Sequence, residues 1–165
     1  HILTGTMHSR IFGKARKQGM AYGMFSDGSV GKYESSWDFG GEVECDKAER
    51  LFSLIVSELQ AVLRGEITEA ELEAAKSYGL GRYQMGAQTV AQISGFYTSR
   101  FFWDGYVKDY AKVPQEIKGT TLEQMNAVAR EFIAANTWAL AGVSSGERSD
   151  IVRLGEQLEG LFTQG

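Results

Sequence analysis

The sequence predicts an α+β domain, an antiparallel sheet with helices packed on one of its faces. Three observations carry this. Apolar residues recur at helical spacing in several long segments, and strict alternation is confined to short aromatic-rich runs. A single proline, Pro114, interrupts 165 residues, so regular structure is expected to be continuous and connections short.

The elements follow in order. Residues 3–17 read as a helix, because Leu3, Met7, Ile11 and Ala15 repeat every fourth position with Phe12 alongside, and Gly19 ends it. From Met20 the period shortens toward two. "MAYGMFS" and "YESSWDFGGEV" read as strands joined by "DGSVGK", whose Asp-Gly supplies turn chemistry, so 20–26 is expected to pair with 33–43. "DKAERLFSLIVSELQAVLRGE" is an amphipathic helix with Asp46 as N-cap and Glu49 three residues on. Leu51, Phe52, Ile55, Leu59, Val62 and Leu63 form its apolar face, and Gly65 ends it. Thr68 caps the next helix, Glu71 completes a capping box, and Ile67 stands where it can staple onto Leu72. This helix is expected to reach Gln84 or Gln88.

"TVAQISGFYTSRFFWDGY" reads as a further helix, aromatic toward its end, and a short helix near 107–112 leads to Pro114. Thr121 with Gln124 opens "LEQMNAVAREFIAAN", whose face is Leu122, Met125, Val128, Ala129 and Phe132. "TWALAGVSS" alternates Trp138, Leu140 and Gly142 and reads as a third strand, and "ERSDIVRLGEQLEGLF" closes as a helix. The length suits one domain, taken as residues 1–165.

Composition removes several function classes. Hydrophobic residues at 43% and charged residues at 23% are those of a folded chain. A net charge of −4 argues against a general polyanion-binding surface. One cysteine, Cys45, excludes an intramolecular disulfide and fits a reducing compartment or simply no need for disulfides; localisation stays open, with the cytoplasm favoured. No apolar run approaches the roughly 18 residues that span a bilayer, so no membrane association is expected, and no signal peptide is visible. The chain opens on His1 rather than methionine and "HILTGTMHS" reads as a segment entered midway, so an excerpt of a longer protein is expected.

The chemistry-bearing residues are few. A helical zinc site needs histidines one turn apart with a carboxylate beside them. The two histidines, His1 and His8, stand seven residues apart, about 10 Å along a helix at about 1.5 Å per residue, so no metal ligation is expected within this chain. Cys45 has no histidine near it in sequence and reads as packing. "GTTLEQ" lacks the lysine of a phosphate loop, and "ITEAELEAAK" reads as a solvated helix face.

Arg10, Lys14 and Lys17 share one helical stripe, which reads first as a solvated face and only weakly as a nucleic-acid patch, since no aromatic interleaving accompanies it. Arg16 points elsewhere, one short connection from Tyr22. A guanidinium and a phenol can both address a peptide carbonyl. A salt bridge for Arg16 and a core-edge position for Tyr22 are the plain alternatives.

"ILTGTMHSRIFGKARKQGMAYGMFS" resembles the second-domain signature of the pitrilysin/insulin-degrading-enzyme family of zinc metallopeptidases, roughly "iLgG…SRLf..lRe..GLaYsv.s". Ile2-Leu3-Thr4-Gly5, Ser9-Arg10-Ile11-Phe12, Ala15-Arg16 and Gly19-Met20-Ala21-Tyr22 stand in those places. "DKAERLFSLIVSELQAVLRGEITEAELEAAKSYGLG", "TLEQMNAVAREFI" and "TWALAGVSSG" are similar to later family segments, in the family's order. Two departures stand out: Ala15 replaces the usual leucine, and the interval from Arg16 to Tyr22 is one residue shorter, the lost residue lying near Gln18.

The resemblance implies the C-terminal portion of a non-zinc domain, without its first strand or strands, whose three strands belong to a larger sheet. It implies no catalytic residue and no cofactor in this chain, with zinc held by a homologous domain of the same protein or a partner subunit. It implies a peptide substrate contacted by Arg16 and Tyr22 across a shared chamber, and no activity for the chain alone. A non-catalytic scaffold subunit of the same family, like the core proteins of respiratory complexes, is the second reading, and a nucleic-acid module a distant third.

Overall fold

The computed structural model describes residues 1–31, 33–86, 88–107, 109–133 and 137–162. Its elements are helix α1 (Arg10–Lys17), strands β1 (Ala21–Val30) and β2 (Ser35–Val43), and helices α2 (Ala48–Leu63), α3 (Glu69–Met85), α4 (Val90–Asp104), α5 (Val113–Gly119), α6 (Leu122–Ile133) and α7 (Arg148–Phe162). The fold is α+β as expected, a small antiparallel hairpin with helices on one face.

The central helix is α2, which packs against α1, α6 and α7. Leu59 and Val62 of α2 join Leu3, Ile11, Ala129, Ile133 and Leu161 in the main buried cluster, and Trp37, Phe39 and Met24 press onto it from the hairpin. Because side chains alternate along a strand, the opposite face carries Phe25, Asp27 and Ser29, all exposed among the described residues. A smaller cluster of Ala15, Met20, Ala21 and Leu51 ties α1 to the start of β1 and to α2.

Local signals set several boundaries as read from the sequence. Thr68 accepts from the Glu71 amide and Glu71 accepts from the Thr68 amide, a complete capping box. Thr121 and Gln124 make the same reciprocal pair at α6, at 3.2 and 3.0 Å. α3 ends at Met85, and α7 spans the expected closing segment.

Other expectations are corrected. The helix expected from residue 3 begins at Arg10. Residues 2–9 are turns, because Ser9 Oγ accepts from the Thr6 amide at 2.7 Å and donates to the Thr6 carbonyl at 2.6 Å. These local bonds compete with the helical ladder. β1 runs on through Asp27-Gly28, and the hairpin turns later, where the Gly31 amide donates to the Glu34 carbonyl at 2.9 Å. The register sets Gly28 opposite Trp37, whose indole N–H donates to Ser26 Oγ at 2.8 Å, so cross-strand packing overrides the turn preference of Asp-Gly.

Asp46 does not cap α2. It lies within a 3-10 turn, Cys45–Lys47, that leads into the helix with no side-chain cap. The helix expected near 107–112 is a 3-10 turn over Tyr110–Lys112 that continues into α5, with Pro114 in the first helical turn, where its missing N–H costs nothing. On α6, Val128 is exposed while Ala129 and Ile133 are buried. Residues 134–136, expected to extend that helix, lie outside the described residues.

The third strand does not form at "TWALAGVSS", and the described sheet is the hairpin alone. Its alternation is real: Trp138 and Leu140 are half-buried and Thr137 and Ala139 exposed. Trp138 stacks on Phe162 of α7, ring centroids 5.6 Å apart. Period-two burial is met by packing on a helix, while a strand also needs a neighbouring backbone to bond.

Candidate functional site

The stretch from Ser9 to Tyr22 builds a joint between α1 and β1. Ile11 and Ala15 are wholly buried, which fixes the inner face of α1. Gly13 is required by close approach, since a Cβ there would stand 2.7 Å from the Met7 carbonyl oxygen.

The basic stripe is solvated only in part: Lys14 and Lys17 are exposed, while Arg10 is drawn into ion pairs. Arg10 donates to both carboxylate oxygens of Glu71, at 2.5 and 2.7 Å, and also to the Glu66 carbonyl. Lys14 pairs with the buried Glu58, which Arg10 also approaches at 3.9 Å. The Arg10 side chain is only 14% exposed. Glu71 thus caps α3 and anchors α1 in one geometry, and the Arg10 guanidinium holds its carboxyl down at about 2, against an ordinary 4.5.

On the other side of α1, Arg16 is exposed and in the last helical turn. The helix closes with the Gly19 amide bonded to the Arg16 carbonyl at 3.0 Å and the Met20 amide to the Ala15 carbonyl at 2.8 Å. Gly19 takes φ +64, which makes this a Schellman stop, with Met20 and Ala15 in contact in the smaller cluster. The chain therefore enters β1 at Ala21 with no slack.

At that entry the ladder is irregular. Ala21 faces Val43 and Gly23 faces Glu42, so Tyr22 is the extra residue of a bulge. A bulge leaves one residue unpaired and re-aims its side chain. The Tyr22 carbonyl accepts from Arg16 Nη1 at 2.9 Å, and the guanidinium carbon lies 5.2 Å from the centre of the Tyr22 ring. Such a stacked cation contributes on the order of 0.5–1 kcal/mol at an exposed site.

Arg16 and Tyr22 are thus brought together despite the shortened interval. Neither plain alternative holds among the described residues: Arg16 has no carboxylate partner, and Tyr22 is 84% exposed rather than at the core edge. Both line an open groove of about 580 Å³, together with Gly19, Met20, Glu42 and Glu44. One of the guanidinium's five N–H donors serves the Tyr22 carbonyl, and the rest, with the phenol, face solvent as donors.

Sequence reasoning missed the groove's far wall. Glu42 and Glu44 sit some twenty positions from Tyr22, and only the hairpin register sets Glu42 beside the bulge. No local spacing carries that signal.

Metal binding has no support from the residues present. The His1 ring packs edge-on against Tyr78 at 4.6 Å, and His8 is exposed in a hollow lined by Arg10, Lys14 and Lys17. No three histidine, cysteine or acidic side chains converge as a ligand set among the described residues. Cys45 is exposed, its sulfur 3.6 Å from Ser144 Oγ.

The segment holding this joint also carries the relationship. Residues 1–78 match the family described as the peptidase M16 inactive domain. Through that segment the chain is similar to the inactive, non-zinc domains of the pitrilysin/M16 peptidases. Solved structures share its fold at low identity. The inactive peptidase domain of a Bordetella parapertussis protein named as a zinc protease superposes with TM-score 0.66 at 15% identity, over 79% of this chain and 72% of that one. A conserved protein from Enterococcus faecalis V583 superposes with TM-score 0.66 at 18% identity over 78% of this chain, and a protease from Helicobacter pylori with 0.64 at 20% over 79%. The chain spans 30% and 32% of the lengths of those last two chains. A comparison with curated proteins returns no match. Among the described residues no helix is long and apolar enough to cross a membrane.

Proposed function

We propose that this domain is the non-catalytic partner in a zinc-dependent peptidase, forming one wall of a substrate chamber and contacting peptide through Arg16 and Tyr22. The observation that carries the reading is their pairing, exposed and unclaimed by any carboxylate, inside the segment that matches the inactive-domain family. Residues 1–165 act as one domain, the C-terminal portion of that non-zinc domain. A single buried cluster drawing on both Leu3 and Leu161 supports this.

The chemistry assigned to this chain is binding and orientation. The free guanidinium N–H groups donate to a peptide carbonyl of the bound substrate. The Tyr22 hydroxyl, re-aimed by the bulge, donates to a carbonyl oxygen on which negative charge develops. Zinc belongs to a homologous domain of the same protein or of a partner subunit, and no step involving it falls on this chain.

In the intact zinc-containing protein, Arg16→Ala and Tyr22→Phe are each expected to lower peptide turnover by about a hundredfold, the lower end of the range for losing one oriented donor. Zinc content, measured by elemental analysis, is expected to stay unchanged. Wild-type turnover in both variants would overturn the assignment.

A further inference from the structure

Besides Arg16 and Tyr22, the groove holds two carboxylates, Glu42 and Glu44. β2 brings Glu42 opposite Gly23, immediately beyond the Tyr22 bulge. Gly23 offers no side chain there, and a Cβ built on it would meet nothing within 4 Å. The cross-strand space beside Glu42 is therefore open.

The charges around the groove differ in what they already serve. Glu44 is paired with Lys47 at 2.6 Å. Arg16 is held on the Tyr22 carbonyl and ring rather than on an acid. Glu42 is exposed and makes no ion pair among the described residues. A cation and an anion that share one groove without neutralising each other both remain available to a ligand. Arg16 and Tyr22 call for an acceptor oxygen, which peptide backbone supplies, while Glu42 calls for a positive charge next to it.

We propose that Glu42 is a specificity-determining residue, favouring peptides with a positive charge beside the segment held by Arg16 and Tyr22. This rests on the substrate-chamber reading above. The positive charge can be a lysine or arginine side chain or a free α-amino group, and N-acetylated peptides distinguish these sources.

The test compares matched peptides, differing in one lysine or glutamate, on the intact protein and its Glu42→Gln and Glu42→Lys variants. The wild type is expected to favour the lysine peptide in kcat/KM. Glu42→Gln is expected to reduce that preference about threefold and Glu42→Lys about tenfold, chiefly through KM, with both effects shrinking toward 1 M salt, as for an exposed charge pair. A wild-type kcat/KM that falls on N-acetylation, and falls less in both Glu42 variants, supports the proposal with the α-amino group as the recognised cation. A lysine preference that survives acetylation and is reduced in the variants supports it with the side chain.

A lysine-to-glutamate ratio and an acetylation effect that are both unchanged in the two Glu42 variants overturn the proposal. If that occurs while Arg16→Ala still lowers turnover on both peptides, only the charge assignment fails. Wild-type turnover in Arg16→Ala and Tyr22→Phe removes the underlying reading instead. Glu42 is exposed on a strand, and matching thermal melts will show that its variants fold.

Discussion

Ile11→Ala is expected to destabilise the protein by about 3–4 kcal/mol, measured as a fall in the chemical denaturation midpoint with an unchanged slope. Ile11 is 0% exposed and belongs to the main cluster, where α1 packs on α2 and residues of α6 and α7 join. Truncation removes apolar contact and leaves a cavity, because neighbours fixed on separate helices cannot all close on it. Part of the loss is expected to reach the groove, since Ile11 seats the same short helix that presents Arg16. Ile11→Val keeps most of the volume and is expected to cost only about 1 kcal/mol. A loss of less than 1 kcal/mol in Ile11→Ala would show that α1 is not held by this contact.

Arg10→Met is expected to cost about 3 kcal/mol at neutral pH, the low end of the range for breaking a buried ion pair by removing one partner. The guanidinium binds Glu71 through two nitrogens, donates to the Glu66 carbonyl and lies near the buried Glu58. The same network sets an acid dependence. The Glu71 carboxyl is depressed to about 2 from an ordinary 4.5, chiefly by its hydrogen bonds from Arg10. A carboxyl depressed on folding stabilises fully above its unfolded value and loses that contribution as pH falls through its folded one. Stability is therefore expected to fall between about pH 4.5 and pH 2. In Arg10→Met the fall over that window is expected to be shallower, as followed by thermal melts across the range. An identical slope in both proteins would remove Arg10 as its cause.

Much of the fold is legible where a signal is local. Thr68 with Glu71 and Thr121 with Gln124 announce their helices, because a cap is completed within four residues. The long amphipathic repeat from Leu51 to Leu63 identifies the central helix for a similar reason, since its own periodicity selects the face that can be buried. Expectations failed where two solutions compete locally and a distant partner chooses. Asp27-Gly28 has the chemistry of a turn, yet Trp37 opposite Gly28 keeps it in the strand. Trp138 and Leu140 alternate like a strand, yet Phe162 supplies a ring to stack on and, among the described residues, no strand pairs with them.

The site divides the same way. The sequence by itself determined a helix, a glycine stop and a strand, and so set Arg16 and Tyr22 one tight joint apart. Gly19 suffices for that, because the left-handed turn is intrinsic to the residue. Tertiary structure alone decided that Arg10 and Lys14 are spent on Glu71 and Glu58, that Tyr22 is the bulged residue, and that Glu42 faces the same groove. Each depends on which side chain from a remote element occupies a given point in space. Helix packing and strand register set that, and no short-range spacing encodes it.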